Sequence, residues 1–155
     1  MNIAPKSSFV LNRPHLLGIE GLSREELWRA PSNHNNAILW VAGHIVQTRA
    51  VVLQMLGEPT DTGWGTLFDR GAKVGDPGKY PSASEIARKA QELGPRLAAA
   101  LPALDNEQLS RAAAFQIPGI NNLLGELAFF ALHESYHVGQ LAYIRKSLGY
   151  PGIAG

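Results

Sequence analysis

A chain of 155 residues, 45% hydrophobic and 17% charged, is long enough for one domain with its own core, and nothing in residues 1–155 marks a second domain. The 14 Lys and Arg against 13 Asp and Glu leave a formal net charge of +1, which offers no electrostatic footprint for a polyanion and argues against nucleic acid as a partner. Cysteine is absent, so disulfides, zinc–thiolate sites and a cysteine nucleophile are excluded; imidazole and carboxylate remain as the strong metal ligands, and any thiol chemistry needs a thiol from outside.

The start, Met1 to Lys6, lacks a basic end leading into an apolar signal core, and no uninterrupted apolar run approaches the roughly 18–20 residues of a membrane span. A soluble, cytoplasmic protein is expected. Phe9, Val10, Leu16, Leu17 and Ile19 form one side of a first helix, which Pro14 must kink or start. Ser23-Arg24-Glu25-Glu26 fits a capping box for a short connecting helix that Pro31 ends. Capping side chains in 32–36 precede a strongly apolar helix over 37–56, stopped by Gly57-Glu58-Pro59. On it Ala37, Val41, His44, Thr48, Val51 and Met55 recur at helical spacing, which puts His44 on an inward stripe. His15, beside Pro14, and His34, in the polar run, are expected at the surface.

Residues 57–81 carry six glycines and three prolines, too broken for a helix and too long for an ordinary connection. Trp64, Leu67, Phe68 and Tyr80 pin this loop to the body, either covering one end of the molecule or simply packing on it. Ser82-Ala83-Ser84-Glu85 is a second capping box, opening a helix over 83–101 that Gly94-Pro95 should bend. A short turn of helix over 105–111 and a loop through Pro118-Gly119 lead to a last helix over 121–148, closed by Gly149 and with Arg145 and Lys146 near its negative end. The reading is an all-α four-helix bundle with a long loop between its second and third helices.

The last helix carries His133 and His137, four residues apart and therefore on one face at about 5–6 Å between Cβ atoms. The stripe through Phe130, His133, His137, Leu141, Ile144 and Leu148 is otherwise apolar, so both histidines point inward. On spacing alone the pair suits a hydrogen-bonded core as well as half of a metal site. His44 on a facing helix supplies a third imidazole, and three neutral imidazoles with an open position form the pattern of a catalytic divalent-metal site. Gly43 and Gly139 stand beside the ligand positions inside helices, where side-chain-free space or close helix contact would each explain them.

Asn36-Ala37-Ile38-Leu39-Trp40-Val41-Ala42-Gly43-His44-Ile45, Leu56-Gly57-Glu58 and His133-Glu134-Ser135-Tyr136-His137-Val138-Gly139-Gln140-Leu141 together resemble the DinB-like (DinB/YfiT-like) superfamily of metal-dependent proteins, over nearly the whole chain. The resemblance implies a four-helix bundle with a three-histidine site for a divalent metal, often nickel or zinc, and frequently a dimer. Carried over, the metal ligands are His44, His133 and His137. Some members are transferases or isomerases that use a low-molecular-weight thiol such as bacillithiol, mycothiol or glutathione. Others have no assigned reaction, so a non-catalytic metal-binding or stress-related bundle stands as the alternative, with a metal-dependent hydrolase behind it.

His133-Glu134-Ser135-Tyr136-His137 also matches His-Glu-x-x-His, in which the glutamate is the general base of a zinc peptidase. A downstream third ligand is missing, because no His, Asp or Glu follows His137. Glu134 lies about 100° round the helix from His133 and is expected to be a solvated charge rather than a base or an anchor for a ligand. Trp40 and Tyr136 fall near the site with aromatic packing roles, Gln140 is either a helix-surface amide or an outer partner of a ligand, and no catalytic residue or substrate is readable.

Overall fold

Helix ends lie where capping side chains and left-handed glycines allow them. The computed structural model describes residues 12–32 and 36–153; the predicted contributions of Phe9, Val10 and His34 lie outside these residues. Among the described residues the chain forms α1 (Asn12–Ile19), α2 (Arg24–Leu27), α3 (Ile38–Met55), α4 (Ala83–Ala103), α5 (Asn106–Ser110) and α6 (Leu123–Ser147), with no strand beyond an isolated bridge between Ala112 and Asn122. Both predicted capping boxes are present: Ser23 with Glu26 opens α2, and Ser82 with Glu85 opens α4. Ala37 precedes α3 without a side-chain cap, so the expected polar cap there is not made by the residue at the helix start. Gly57 and Gly149 follow α3 and α6 with φ of 85° and 87°, and their N–H groups bond the carbonyls of Gln54 and Lys146, which closes both helices.

Helices α1, α3, α4 and α6 make the bundle, with α3 at its centre against the other three. From Ile38 to Val46 every residue of α3 is buried, so its first half has no solvent face; of the predicted stripe, Thr48, Val51 and Met55 are only half-buried while Arg49, Val52 and Leu53 are buried instead. This central position explains why α3 is apolar enough to cross a bilayer by composition while 72% of it is buried in the protein. Helix α4 continues through Gly94-Pro95 and past Pro102 to Ala103. Pro95 and Gln91 are exposed, so the Gln91 carbonyl that loses its helical donor faces water.

His15 corrects the sequence reading. Rather than lying at the surface it is fully buried, with Nε2 3.0 Å from the carbonyl oxygen of Ala42, to which it donates. Burial, reinforced by the Arg49 charge and opposed by the Ala42 bond, pulls its pKa down to about 3. The native state therefore refuses a proton that the unfolded chain accepts near 6.5, and stability present above that value is lost as pH falls from 6.5 toward 3. The expected loss from this group is about 1.4 kcal/mol per pH unit in that window. His15→Gln, which keeps a donor for Ala42, should flatten the pH dependence of urea unfolding between pH 6.5 and 5; an unchanged slope would remove His15 as its source.

Candidate metal centre

His44 projects from the middle of α3, and His133 and His137 from successive turns of α6. Arg111 donates to the Met55 carbonyl at the end of α3 and accepts from the Leu123 N–H at the start of α6, so the two helices run antiparallel. One ligand nitrogen from each of the three histidines lies within 4.8 Å of the others. His133 Nε2 stands 3.3 Å from His44 Nε2 and 3.1 Å from His137 Nε2. The sequence-predicted triad is thus brought together, with His44 and His137 buried and His133 half-buried.

Hydrogen bonds set the tautomers. His44 Nδ1 is 2.6 Å from the carbonyl oxygen of Phe68, which can only accept, so Nδ1 carries the proton and Nε2 presents a lone pair. His137 Nδ1 likewise donates to Gln140 Oε1 at 2.7 Å, leaving its Nε2 bare. A proton on His133 Nε2 can satisfy one of these lone pairs but not both, while His133 Nδ1 is buried without a partner among the described residues. A cation resolves this conflict. Two nitrogen ligands at about 2.0–2.1 Å from one tetrahedral ion sit about 3.3 Å apart, close to the two spacings made by His133, so these donors fit a divalent metal.

Electrostatics favour neutral, ligating imidazoles. Burial pulls His133 down to about 4, helped by the charges of His137, His44 and Arg70. His44 and His137 are also lowered by burial, against the opposing pull of the Phe68 carbonyl for the first and of Gln140 for the second. The Phe68 and Gln140 oxygens orient the rings as outer partners of metal-bound histidines do, an effect typically worth about 10–100-fold in metal affinity.

The 57–81 loop enters the site instead of merely covering it. Phe68 is wholly buried, with its ring against Trp64 and Tyr80 and its carbonyl on His44; Trp40, stacked on His44 with ring centroids 4.9 Å apart, donates its indole N–H to Leu67 O. Gly43 is required by this insertion, since a Cβ there would stand far inside van der Waals contact with Phe68 Cε1. Gly139 differs: a Cβ there meets nothing within 4 Å, so close helix contact does not explain it. Gly43→Ala should therefore displace Phe68 and weaken metal binding about 10-fold or more without touching a ligand, whereas Gly139→Ala should raise stability by up to ~1 kcal/mol. Metal titration and thermal melting of the two variants check this; equal behaviour would contradict the role given to Phe68.

Glu134 overturns a second expectation. It is not a solvated charge but 3% exposed, and its carboxylate receives Arg49 Nη2 on Oε1 at 2.6 Å and Nε on Oε2 at 3.0 Å. A carboxylate held in this fork is not free to serve as the general base of a His-Glu-x-x-His peptidase. Gln140 proves to be the partner of His137, and its own amide N–H donates to the exposed Tyr136 hydroxyl. Glu126, two turns before His133 on α6, is fully buried with one oxygen accepting from Phe115 N–H at 2.6 Å and the other without a partner among the described residues. A cleft of about 430 Å³ lined by Val41, Tyr136, Gly139, Gln140 and Tyr143 reaches the Gln140 side of the triad. A larger one, about 630 Å³, lies between α1 and α4 and includes no triad residue.

The sequence profile of the DinB superfamily matches residues 11–141. Among solved structures, YfiT from Bacillus subtilis, described as a probable metal-dependent hydrolase with an unusual four-helix bundle topology, is similar with a TM-score of 0.66 at 15% identity, over 95% of this chain and 87% of that one. At this identity the likeness is one of fold. No curated protein compared with the chain matches it.

Proposed function

Because this chain belongs to the DinB superfamily, we propose that it is a metal-dependent enzyme whose divalent ion, zinc or nickel, is held by His44, His133 and His137, and that it transfers a low-molecular-weight thiol to an electrophilic small molecule. The observation that carries this reading is the gathering of one ligand nitrogen from each of the three histidines within 4.8 Å, with two of the three rings oriented by fixed acceptors. When bound, the ion supplies a Lewis acid that lowers the pKa of a thiol or water at its open position.

The surrounding residues favour the thiol. Glu134 is tied to Arg49 and Gln140 to His137, and Asp69, the carboxylate whose charge reaches His44, accepts from Gln47 and is not among the ligand groups gathered within 4.8 Å. A thiol with an ordinary pKa near 8.5 needs little help to ionise, whereas water, at 15.7, needs far more. The protein contributes no cysteine of its own. His44, His133 and His137 then have only to remain neutral and oriented, as burial and their acceptors keep them.

Hydrolysis is the second reading, favoured by the description of YfiT as a probable metal-dependent hydrolase. Metal-loaded protein tested with bacillithiol, mycothiol and glutathione against a common electrophile, beside ester and peptide substrates, separates the two. Thiol-dependent conjugation is expected, and His137→Ala should abolish it. Turnover of esters without thiol would replace transfer by hydrolysis; bound metal with no turnover at all would leave a non-catalytic metal-binding bundle.

A further inference from the structure

Arg49 and Glu134 are 1% and 3% exposed, so both charges have been taken out of water. Such a pair contributes little net stability compared with apolar side chains of the same volume, because desolvation offsets most of the attraction. What it does supply is direction. Guanidinium and carboxylate meet through two bonds, Nε to Oε2 at 3.0 Å and Nη2 to Oε1 at 2.6 Å, and a planar fork has one good geometry where apolar contacts tolerate sliding.

Its placement matters. Arg49 lies five residues after His44 on α3, about 7.5 Å along the axis, and Glu134 lies between His133 and His137 on α6, so the fork joins the two helices that carry the triad close to it. The other buried residues on these faces, Ile45, Val46, Val52 and Leu53 on α3 and Leu127, Ala131, Val138 and Leu141 on α6, are apolar and pack without directional bonds, so the fork adds to their packing a contact that fixes an axial register. The imidazoles need one, since a slide of about 1 Å would spoil spacings set by metal–nitrogen bonds of about 2.0–2.1 Å.

We propose that Arg49 and Glu134 are positioning residues of the metal centre: their fork fixes α3 against α6 in the register that brings His44 Nε2 to the Nε2 atoms of His133 and His137. This rests on the metal reading of the triad. The test is a titration with cobalt(II), whose visible absorption reports coordination geometry, on wild type, the double variant R49M/E134M and Arg49→Lys, with urea unfolding of each alongside. The double variant removes both charges together and should keep most of the wild-type stability, yet bind cobalt at least ten-fold more weakly with an altered spectrum. Arg49→Lys keeps the charge but offers one point of attachment, and should shift the spectrum in the same sense. Wild-type affinity and spectrum in either folded variant would overturn the proposal while leaving the metal site in place. No cobalt uptake by the wild type would remove the metal reading itself.

Discussion

His133→Ala is expected to strip the protein of its metal while the bundle stays helical. His133 Nε2 faces both other ligand nitrogens, at 3.3 and 3.1 Å, so its removal breaks the set at its centre, whereas His44 and His137 are each held from behind by an oxygen. Loss of a ligand should exceed the roughly 10–100-fold effect of losing an outer partner. His133 is also only half-buried, so truncation leaves no large core cavity and circular dichroism should change little. Elemental mass spectrometry of the purified variant decides: one divalent ion per chain in His133→Ala would take the assignment away. Proton competition provides a further signature. An unperturbed imidazole would begin to lose metal below about pH 6.5. Burial lowers all three histidines, His133 to about 4, so they stay neutral at pH values where free histidine is protonated. Occupancy should accordingly persist below pH 6.5 and fall as pH approaches the lowered values.

Glu134→Ala should be the most destabilising single substitution among those considered. Removing the carboxylate takes both bonds of the fork from a buried guanidinium, a change of a kind typically worth about 3–5 kcal/mol. For a domain of this size that corresponds to a melting temperature lower by on the order of 10 °C. Arg49→Met alone should act in the same direction by stranding the carboxylate, and the double variant should recover most of the loss, because no unpaired charge remains. Thermal melts of the three variants give the result directly. Glu134→Ala within about 2 °C of the wild type would mean that water or another group already solvates the pair.

Local chemistry determined much of this protein. The spans of α3, α4 and α6 follow from capping residues, helical periodicity and two left-handed glycines, all of which act within a few residues and so are legible in a single chain. The four-residue spacing of His133 and His137 fixes their shared face in the same way, and the DinB-like segments bring His44 into the set. Part of what was misread was also legible. Glu134 lies on the stripe Leu127, Ala131, Glu134, Val138, Leu141, and Arg49 follows Ala42, Ile45 and Val46 and precedes Val52 and Leu53, so each charge is alone on an apolar face of its helix. Placing Glu134 in solvent because it is offset from His133 assumed that α6 buries one narrow face, when it is covered by α1 and α3 together. Only the tertiary structure decided which carbonyl orients His44, why residue 43 has no side chain, that His15 is buried and that Arg49 meets Glu134. These contacts join residues 24 to 85 positions apart, and their partners are chosen by which helix faces lie together, a consequence of burying all the apolar surface at once rather than of any local pattern.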